Sequence, residues 1–380
     1  AGWSLLYFPQ QDLSVRNGAP WGHGSWITVR DDGERWFEIG KPWIGGLEQM
    51  DALLMRKDPP FDMEYIYTTY ILELAEARGV LVANKPASLR DINEKAYTSW
   101  FPQCTPPSLV TRSRSALHEF LKEHGKIVLK PFDGMGGRSI FVVAAGDLNV
   151  NVIIETLTDN GAKFTLAQRY IPEIVDGDKR VLLIDGEPVD YALARIPAPG
   201  ESRGNLVMGA RGEGRPLTER DRWLCAQVGP TLSSKGVLFA GLDVIGDYLT
   251  EINVTSPTGI QEINGLHGLH VERLVTEPVH EVVALATGKM QKLAVPRRRL
   301  VDAACRVARQ PAGAFVPSRQ DPALAADFLM MAGPVRMAMN QPRAARCAED
   351  AGDRRSEEGR SEGGGAVYLL RELHPLAPGS

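Results

Sequence analysis

Apolar and polar positions along the chain switch between the two-residue period of a strand and the 3.6-residue period of a helix. Residues 3–8 read as a strand. Leu53, Leu54 and Met55 form a short apolar run stopped by Arg56-Lys57-Asp58-Pro59-Pro60, the pattern of a buried strand opening into a charged loop. Residues 65–77 have helical spacing, with Ile66, Tyr70, Leu74 and Ala77 on one stripe, and Gly79 ends them. Residues 80–83 are the next strand, closed by Asn84-Lys85-Pro86. Strand, helix, strand predicts a parallel sheet, so residues 1–94 are assigned to a small α/β domain. That domain opens partway through its pattern, at Ala1, which predicts that it is incomplete at its start.

Further along, 94–101 and 115–124 read as helices. Strands are predicted near 109–111 and at 126–130, 139–143, 165–170, 179–184 and 191–195. Asp185-Gly186-Glu187 is a hairpin turn. Residues 197–216 hold five glycines and three prolines without periodicity, which predicts a long mobile loop. A helix over 219–235 precedes two strands, 239–245 and 249–253, joined at Gly246-Asp247. Residues 95–287 are assigned to the second domain.

Composition changes this picture only at the C-terminal end. The 380 residues are 43% hydrophobic and 24% charged, values of an ordinary globular chain, with a net charge of −4 that gives no reason to expect a nucleic-acid or membrane partner. After Lys292, the last lysine, come 13 arginines among Ala, Gly and Pro. Residues 293–380 are therefore expected to be disordered or poorly packed; the alternative is a tail translated from an altered reading frame. Four scattered cysteines form no CxxC pair, and with no signal peptide and no apolar run near the roughly 18–20 residues that span a bilayer, the expectation is a cytoplasmic protein.

Four constellations carry chemistry. Lys130-Pro131-Phe132-Asp133-Gly134-Met135-Gly136-Gly137 lies between two strands; its glycines let backbone N–H groups approach a phosphate, or they serve only a tight hairpin. The loop matches neither GxxxxGK[ST] nor GxGxxG. Asp243, Glu251 and Asn253 offer three hard oxygen donors across one hairpin. Such donors suit Mg²⁺, although an ordinary solvated hairpin face gives the same pattern. Arg195, Arg203, Arg211 and Arg215 in or beside the 197–216 loop are either a lid for an anionic intermediate or a solvated loop. Arg56 sits at the C-terminal end of a strand, where open α/β sheets bind ligands, or it makes a surface ion pair.

Taken in order, these stretches resemble the bacterial glutathione synthetases of the ATP-grasp superfamily. The most specific are Met55-Arg56-Lys57-Asp58-Pro59-Pro60-Phe61-Asp62 and Glu251-Ile252-Asn253-Val254-Thr255-Ser256-Pro257-Thr258-Gly259. Asn93-Glu94-Lys95, Asp176-Gly177-Asp178-Lys179-Arg180 and Arg203-Gly204-Asn205 also match. The resemblance runs from about residue 1 to about 285. It implies an α/β ATP-grasp fold with an N-terminal parallel-sheet domain, here truncated by a strand and a helix, and a last helix near 271–287.

The resemblance also implies roles. Lys95 and Lys130 would contact ATP phosphates, covered by Asp133, Gly134, Met135, Gly136 and Gly137. Gln168, Arg169, Tyr170 and Ile171 would meet adenine and sugar, with Asp178 near the ribose. Asp243, Glu251 and Asn253 would hold Mg²⁺, or Mn²⁺ in its place. Arg56, Arg180, Asn253 and Ser256 would hold γ-glutamylcysteine, and Arg195 and Arg203 would stabilise charge at the reacting centre. The expected reaction joins γ-glutamylcysteine and glycine through an acyl phosphate, in a homotetramer. Two other readings stand beside it: another ATP-grasp carboxylate-amine ligase, and an inactive nucleotide-binding protein lacking part of its first sheet.

Overall fold

The computed structural model describes residues 3–30, 36–58, 60–134, 137–201, 203–204, 206, 209–286 and 366–372. In chain order the first sheet takes strands β1 (Trp3–Pro9), β2 (Leu13–Arg16), β3 (Ala19–Val29), β4 (Phe37–Gly46) and β5 (Ala52–Met55). Helix α1 (Met63–Glu76), strand β6 (Leu81–Ala83) and helix α2 (Pro86–Asp91) follow. A 3-10 turn over Ala96–Trp100 leads into β7 (Ser108–Thr111), α3 (Arg114–His124), β8 (Lys126–Pro131), β9 (Phe141–Ala144), α4 (Val150–Thr158) and β10 (Thr165–Arg169). The third group is β11 (Asp178–Ile184), β12 (Glu187–Ile196), β13 (Arg211–Pro216), α5 (Glu219–Ser234), β14 (Phe239–Ile245), β15 (Tyr248–Asn253), α6 (Ile260–His267) and α7 (Val271–Ala286). A last strand is β16 (Ala366–Glu372).

Three sheets result. The first runs β2-β3-β1-β16-β5-β6 with β4 on β3, the second β7-β10-β8-β9, and the third β13-β12-β11-β14-β15. In the first sheet β5 and β6 pair parallel through α1, as the strand–helix–strand pattern requires, but its other pairs are antiparallel. The long β3–β4 pairing was not anticipated. Its strands mix Gly, Trp and charged residues, so neither two-residue alternation nor a continuous apolar run marks them.

Three other expectations need correction. On α1 the buried residues are Tyr65, Thr68, Thr69, Leu72 and Ala75, one position off the stripe read from Ile66, Tyr70, Leu74 and Ala77. Threonines are buried there because their hydroxyls donate to helix carbonyls, Thr68 to Glu64 (2.8 Å) and Thr69 to Ile66 (2.6 Å). Tyr70 is exposed, 4.6 Å beneath the Arg90 guanidinium. Residues 94–101 form only the 3-10 turn, and α2 begins at Pro86, whose fixed φ suits a first helical turn. The loop expected over 197–216 ends before Arg211, because Arg211–Pro216 pairs with β12 along its whole length.

The tail also departs from expectation. Most of 293–380 lies outside the described residues, but Ala366–Glu372 is a strand between β1 and β5, antiparallel to both. Its neighbours show why that place takes an apolar segment. Leu5, Leu6 and Phe8 on β1 and Ala52, Leu53 and Met55 on β5 are buried. Leu6, Phe8, Leu53 and Met55 pack toward α1, whereas Leu5 and Ala52 pack with Val279 of α7. The flanking strands β1 and β5 are covered on both faces, and the sequence between them, Val367-Tyr368-Leu369-Leu370, is a continuous apolar run.

The third sheet is also covered on both faces. Val181 and Leu183 of β11 join a core with α5, while Leu182 and Ile184 join one with α6 and α7. The second sheet packs Ile127 and Leu129 of β8 against α3 and α4. No helix among the described residues is long and apolar enough to cross a membrane.

Removing the chain from residue 366 onward is expected to raise amide exchange in β1 and β5 while β11 and β14 keep their protection, read by hydrogen–deuterium exchange. Unchanged protection of β1 and β5 would show that the first sheet does not depend on β16.

Candidate active site

One face of the third sheet is divided along its strands. At one end Leu182, Ile184, Leu193 and Phe239 lie in the core under α6 and α7. Toward the other end the same alternation brings Asp178 and Arg180 on β11, Arg195 on β12 and Asp243 on β14 to that face. Arg180 is the register partner of Asp243, Asp178 of Arg195, and Asp243 of Glu251.

Glu251 reaches this position through a bulge. The β14–β15 register shifts after Asp243, so Val244 pairs with Leu249 and Asp243 with Glu251, leaving Thr250 as the extra residue. The Thr250 hydroxyl donates to the Asp243 carbonyl at 3.1 Å. Leu249 and Ile252 can then both enter the core beside α5, while Glu251 and Asn253 face the other way.

The polar half of the face is a buried charge row. Arg180 grips Asp243 with two bonds, Nε to Oδ1 at 2.5 Å and Nη2 to Oδ2 at 3.1 Å. Arg195 Nη2 lies 3.0 Å from Asp243 Oδ2 and 2.6 Å from Asp178 Oδ2. Burial works against an ionised Asp243, but Arg180 and Arg195 reverse it and hold its carboxyl well below the usual range. Burial pushes the Asp178 carboxyl up, and Arg195 pulls it back only in part while Asp243 adds to the rise. Asp178 Oδ1 is buried with no hydrogen-bond partner among the described residues.

A second row of cations comes from outside this sheet. On β8, Ile127 and Leu129 point into their own core, so Lys130 points the opposite way, and its Nζ reaches Glu251 Oε1 at 3.3 Å. Lys95, only 2% exposed, donates to the Glu94 carboxylate and to the Gly134 carbonyl at 2.6 Å. Burial, then the neighbouring Glu251, push the Glu94 carboxyl up to about 7 against the pull of Lys95. Asn93 ties this turn down, accepting from the backbone N–H groups of Lys95 (3.1 Å) and Ala96 (2.9 Å). Arg203 Nη1 donates to the Gly137 carbonyl at 3.2 Å. Of the Gly-rich loop, Asp133, Gly134 and Gly137 are described; Met135 and Gly136 lie outside the described residues.

The first sheet closes the site from a third side. Arg56, at the end of β5, donates Nη2 to the Pro257 carbonyl at 2.9 Å, and the Ser256 hydroxyl donates to the Arg56 carbonyl at 3.4 Å. Thr255 donates to Asp58 at 2.5 Å, and Arg180 Nη1 to the Thr258 carbonyl at 3.3 Å. Asn84 accepts from Phe239 N–H (2.9 Å) and donates to the carbonyls of Phe239 (2.7 Å) and Val254 (2.6 Å), fixing where the two parts of the chain meet. Asn253 Nδ2 donates to the Gly241 carbonyl at 3.4 Å.

The β10 residues stand apart from the charge rows. Gln168 turns to Ser108 in its own sheet (3.3 Å), Arg169 reaches the Tyr248 hydroxyl (2.9 Å), and Tyr170 lies under Lys126. Ile171 is buried.

Comparison with known proteins decides the family. The model of the prokaryotic glutathione synthetase ATP-grasp domain matches residues 94–268, and that of its N-terminal domain matches residues 1–90. Glutathione synthetase of Pseudomonas putida is 59% identical over 270 residues, 71% of this chain and 85% of that protein. The enzyme of Coxiella burnetii is 56% identical over 259 residues, 68% of this chain and 81% of its own length. That of Salmonella typhimurium is 51% identical over 283 residues, 74% and 90% respectively. The chain belongs to the prokaryotic glutathione synthetase family. It is an ATP-dependent ligase of the ATP-grasp fold, and its substrates are small molecules.

For a glutathione synthetase, the donor set fits a hard divalent cation. Among the described residues no three His, Cys, Asp or Glu side chains gather as a self-sufficient metal cage. Two facing carboxylates, Asp243 and Glu251, with the Asn253 amide two residues on, are instead the partial set that suits Mg²⁺, which fills its remaining positions with water and phosphate oxygens. Sequence reading passed over Glu94, Asp58 and Glu201. Glu94 and Asp58 were inside matched stretches, next to Lys95 and close to Arg56, and charge alternation within those stretches was the available signal.

Gly241 is needed by this geometry. A Cβ there would stand 2.8 Å from Arg180 Cδ and 3.2 Å from Pro257 Cβ. Gly241→Ala is expected to destabilise the fold by about 1–3 kcal/mol, measured by denaturant unfolding, through displacement of Arg180. A stability equal to the parent's would show that Arg180 shifts freely and that its grip on Asp243 is not fixed by packing.

Proposed function

We propose that this chain makes glutathione by phosphorylating the cysteinyl carboxylate of γ-glutamylcysteine with ATP and then adding glycine. The observation that carries the residue assignment is the Lys130–Glu251 contact. It joins a lysine of the second sheet to the carboxylate row of the third, where phosphate, metal and substrate groups would have to meet. In this reading the N-terminal domain covers residues 1–94 and the ATP-grasp domain 95–287, with the lid before β13.

A carboxylate is a poor electrophile toward an amine. The γ-phosphoryl group passes from ATP to a carboxylate oxygen, giving an acyl phosphate and ADP. Glycine's amine attacks the acyl carbon, phosphate leaves, and the amine loses a proton. Lys95, Lys130 and the backbone of 133–137 bind the phosphates, while Gln168, Arg169, Tyr170, Ile171 and Asp178 take the nucleoside. Asp243, Glu251 and Asn253 would hold Mg²⁺ or Mn²⁺, which when bound neutralises phosphate oxygens. Arg56, Arg180, Asn253 and Ser256 orient γ-glutamylcysteine, and Arg195 and Arg203 face the charge that develops on the transferring group.

The lid before β13 keeps water from the acyl phosphate. The buried free thiols Cys104 and Cys225 suit a reducing cytoplasm. A homotetramer completes the proposal, and light scattering measures it directly.

ADP release is expected only when ATP, γ-glutamylcysteine and glycine are all present. Lys130→Ala and Glu251→Ala are each expected to lower the rate by about 100-fold or more. Release at the parental rate in both variants would overturn the residue assignment.

A further inference from the structure

We propose that Arg56 and Asp58 form a paired clamp for the amino-acid head of γ-glutamylcysteine, Arg56 taking its α-carboxylate and Asp58 its α-ammonium, so that Asp58 sets specificity for the γ-linkage. The proposal rests on γ-glutamylcysteine as the substrate, and adds which groups recognise its far end.

The chemistry of that substrate sets the requirement. A γ-linked glutamyl residue spends its side-chain carboxyl on the peptide bond, so its α-carboxylate and α-ammonium stay together on one carbon. In an α-linked isomer the free carboxylate and the ammonium sit on different carbons. The cysteinyl carboxylate, at the reacting end, goes to the cations Lys130, Arg195 and Arg203. The head therefore needs a cation and an anion side by side, on a piece of chain apart from those three.

The end of β5 carries such a pair. Arg56 follows Met55 directly, and Asp58 lies two residues on. Arg56 is anchored: Nη2 donates to the Pro257 carbonyl at 2.9 Å, and the guanidinium carbon lies 5.8 Å from the centre of the Phe239 ring. Asp58 is anchored by one oxygen. Its Oδ2 accepts from the Thr255 hydroxyl at 2.5 Å, and Oδ1 is an acceptor for a second donor. Both side chains are half-buried, so a ligand can reach them. Burial pushes the Asp58 carboxyl up, and the Thr255 bond with Lys57, Lys95 and Arg56 pulls it back only in part. A carboxylate in that state gains from one more charged donor.

Tyr65, in the first turn of α1, is a second and independent sign of polar business at this place. It is fully buried in one core with Leu6, Phe8, Met55 and Leu72, and its backbone N–H donates to the capping Asp62 at 2.9 Å. Its hydroxyl has no hydrogen-bond partner among the described residues. Packing alone would be met by phenylalanine, because a buried hydroxyl without a partner is costly. Burial raises this hydroxyl most, Asp58 adds to the rise and Arg56 opposes it, so its polar tip lies in the field of the clamp.

The test compares three substrates on the full chain: γ-glutamylcysteine, N-glutarylcysteine, which lacks the ammonium, and γ-aminobutyrylcysteine, which lacks the α-carboxylate. Ratios of kcat/KM taken on one preparation cancel any inactive fraction. The parent is expected to lose about 100-fold or more with either analogue. Asp58→Asn, which keeps an acceptor for Thr255, is expected to narrow the N-glutarylcysteine gap to about 10-fold or less while the other gap stays. Arg56→Gln is expected to do the reverse.

If Asp58→Asn weakens all three substrates alike, Asp58 serves only to hold Thr255 and the clamp is overturned. A parent that uses N-glutarylcysteine as well as γ-glutamylcysteine overturns it too. If the parent turns over none of the three, the substrate reading falls first and the clamp with it.

Discussion

The site depends on the charge row Arg180–Asp243–Arg195–Asp178, buried on one face of the third sheet. Four charged groups taken from water are weak contributors to stability, since their attraction is largely spent on desolvation. What they do instead is commit the face to one arrangement. Each carboxylate that lost its guanidinium would be left charged in a water-poor place, so the row holds together or the sheet end rearranges. The apolar half of the same face, Leu182, Ile184, Leu193 and Phe239 under α6 and α7, anchors the strands that carry it. A fixed pattern of charge built this way is the kind of environment that stabilises developing charge without having to reorganise.

Three separate pieces of chain converge on that row, and each is aimed by a local feature of its strand. Lys130 faces it because Ile127 and Leu129 are committed to the helices behind the second sheet. Glu251 faces it because the extra residue Thr250 resets the phase of β15. Arg56 arrives because β5 ends there, and the 254–258 segment docks on it through Pro257, Ser256 and Thr255. The Asn84 side chain holds the first sheet to β14 and to the start of that segment, so the geometry of the three sheets is not left to side-chain charge alone.

Much of this was legible in the sequence. Short apolar runs ending in Gly or Pro located β5, β8, β11, β14 and β15, and the motif stretches named Lys95, Lys130, Arg180, Arg195, Asp243 and Glu251, which the fold brings to one region. What was not legible follows from physics that period counting omits. The α1 stripe read from Ile66, Tyr70, Leu74 and Ala77 contains neither Thr68 nor Thr69, which are buried with their hydroxyls bonded back to their own helix. A bulge has no period, so the pairing of Asp243 with Glu251 was reached from shared faces without the step that produces it. Glycines in Arg211–Pro216 read as loop, yet β12 supplies the pairing that makes them strand. Ala366–Glu372 is apolar and β-prone in a polar, low-complexity surrounding, and its partners are more than 300 residues earlier in the chain, beyond the reach of any local pattern.

The pairing of cations with carboxylates around the candidate phosphate positions has its own logic. Lys130 holds Glu251, Lys95 holds Glu94, and Arg203 holds Glu201. A metal–triphosphate is itself a cation joined to an anion. Under the proposed function its metal would be held by Asp243, Glu251 and Asn253, and its phosphates would lie toward Lys95 and Lys130. The carboxylate beside each buried lysine balances its charge, which a site lined with cations alone would not do, because unpaired ammonium groups there would be penalised by burial. Glu94 shows how narrow that balance is. Burial, with Glu251 beside it, pushes its carboxyl up, and Lys95 pulls it back. Glu94 and the Gly-rich loop are linked through Lys95, which also donates to the Gly134 carbonyl.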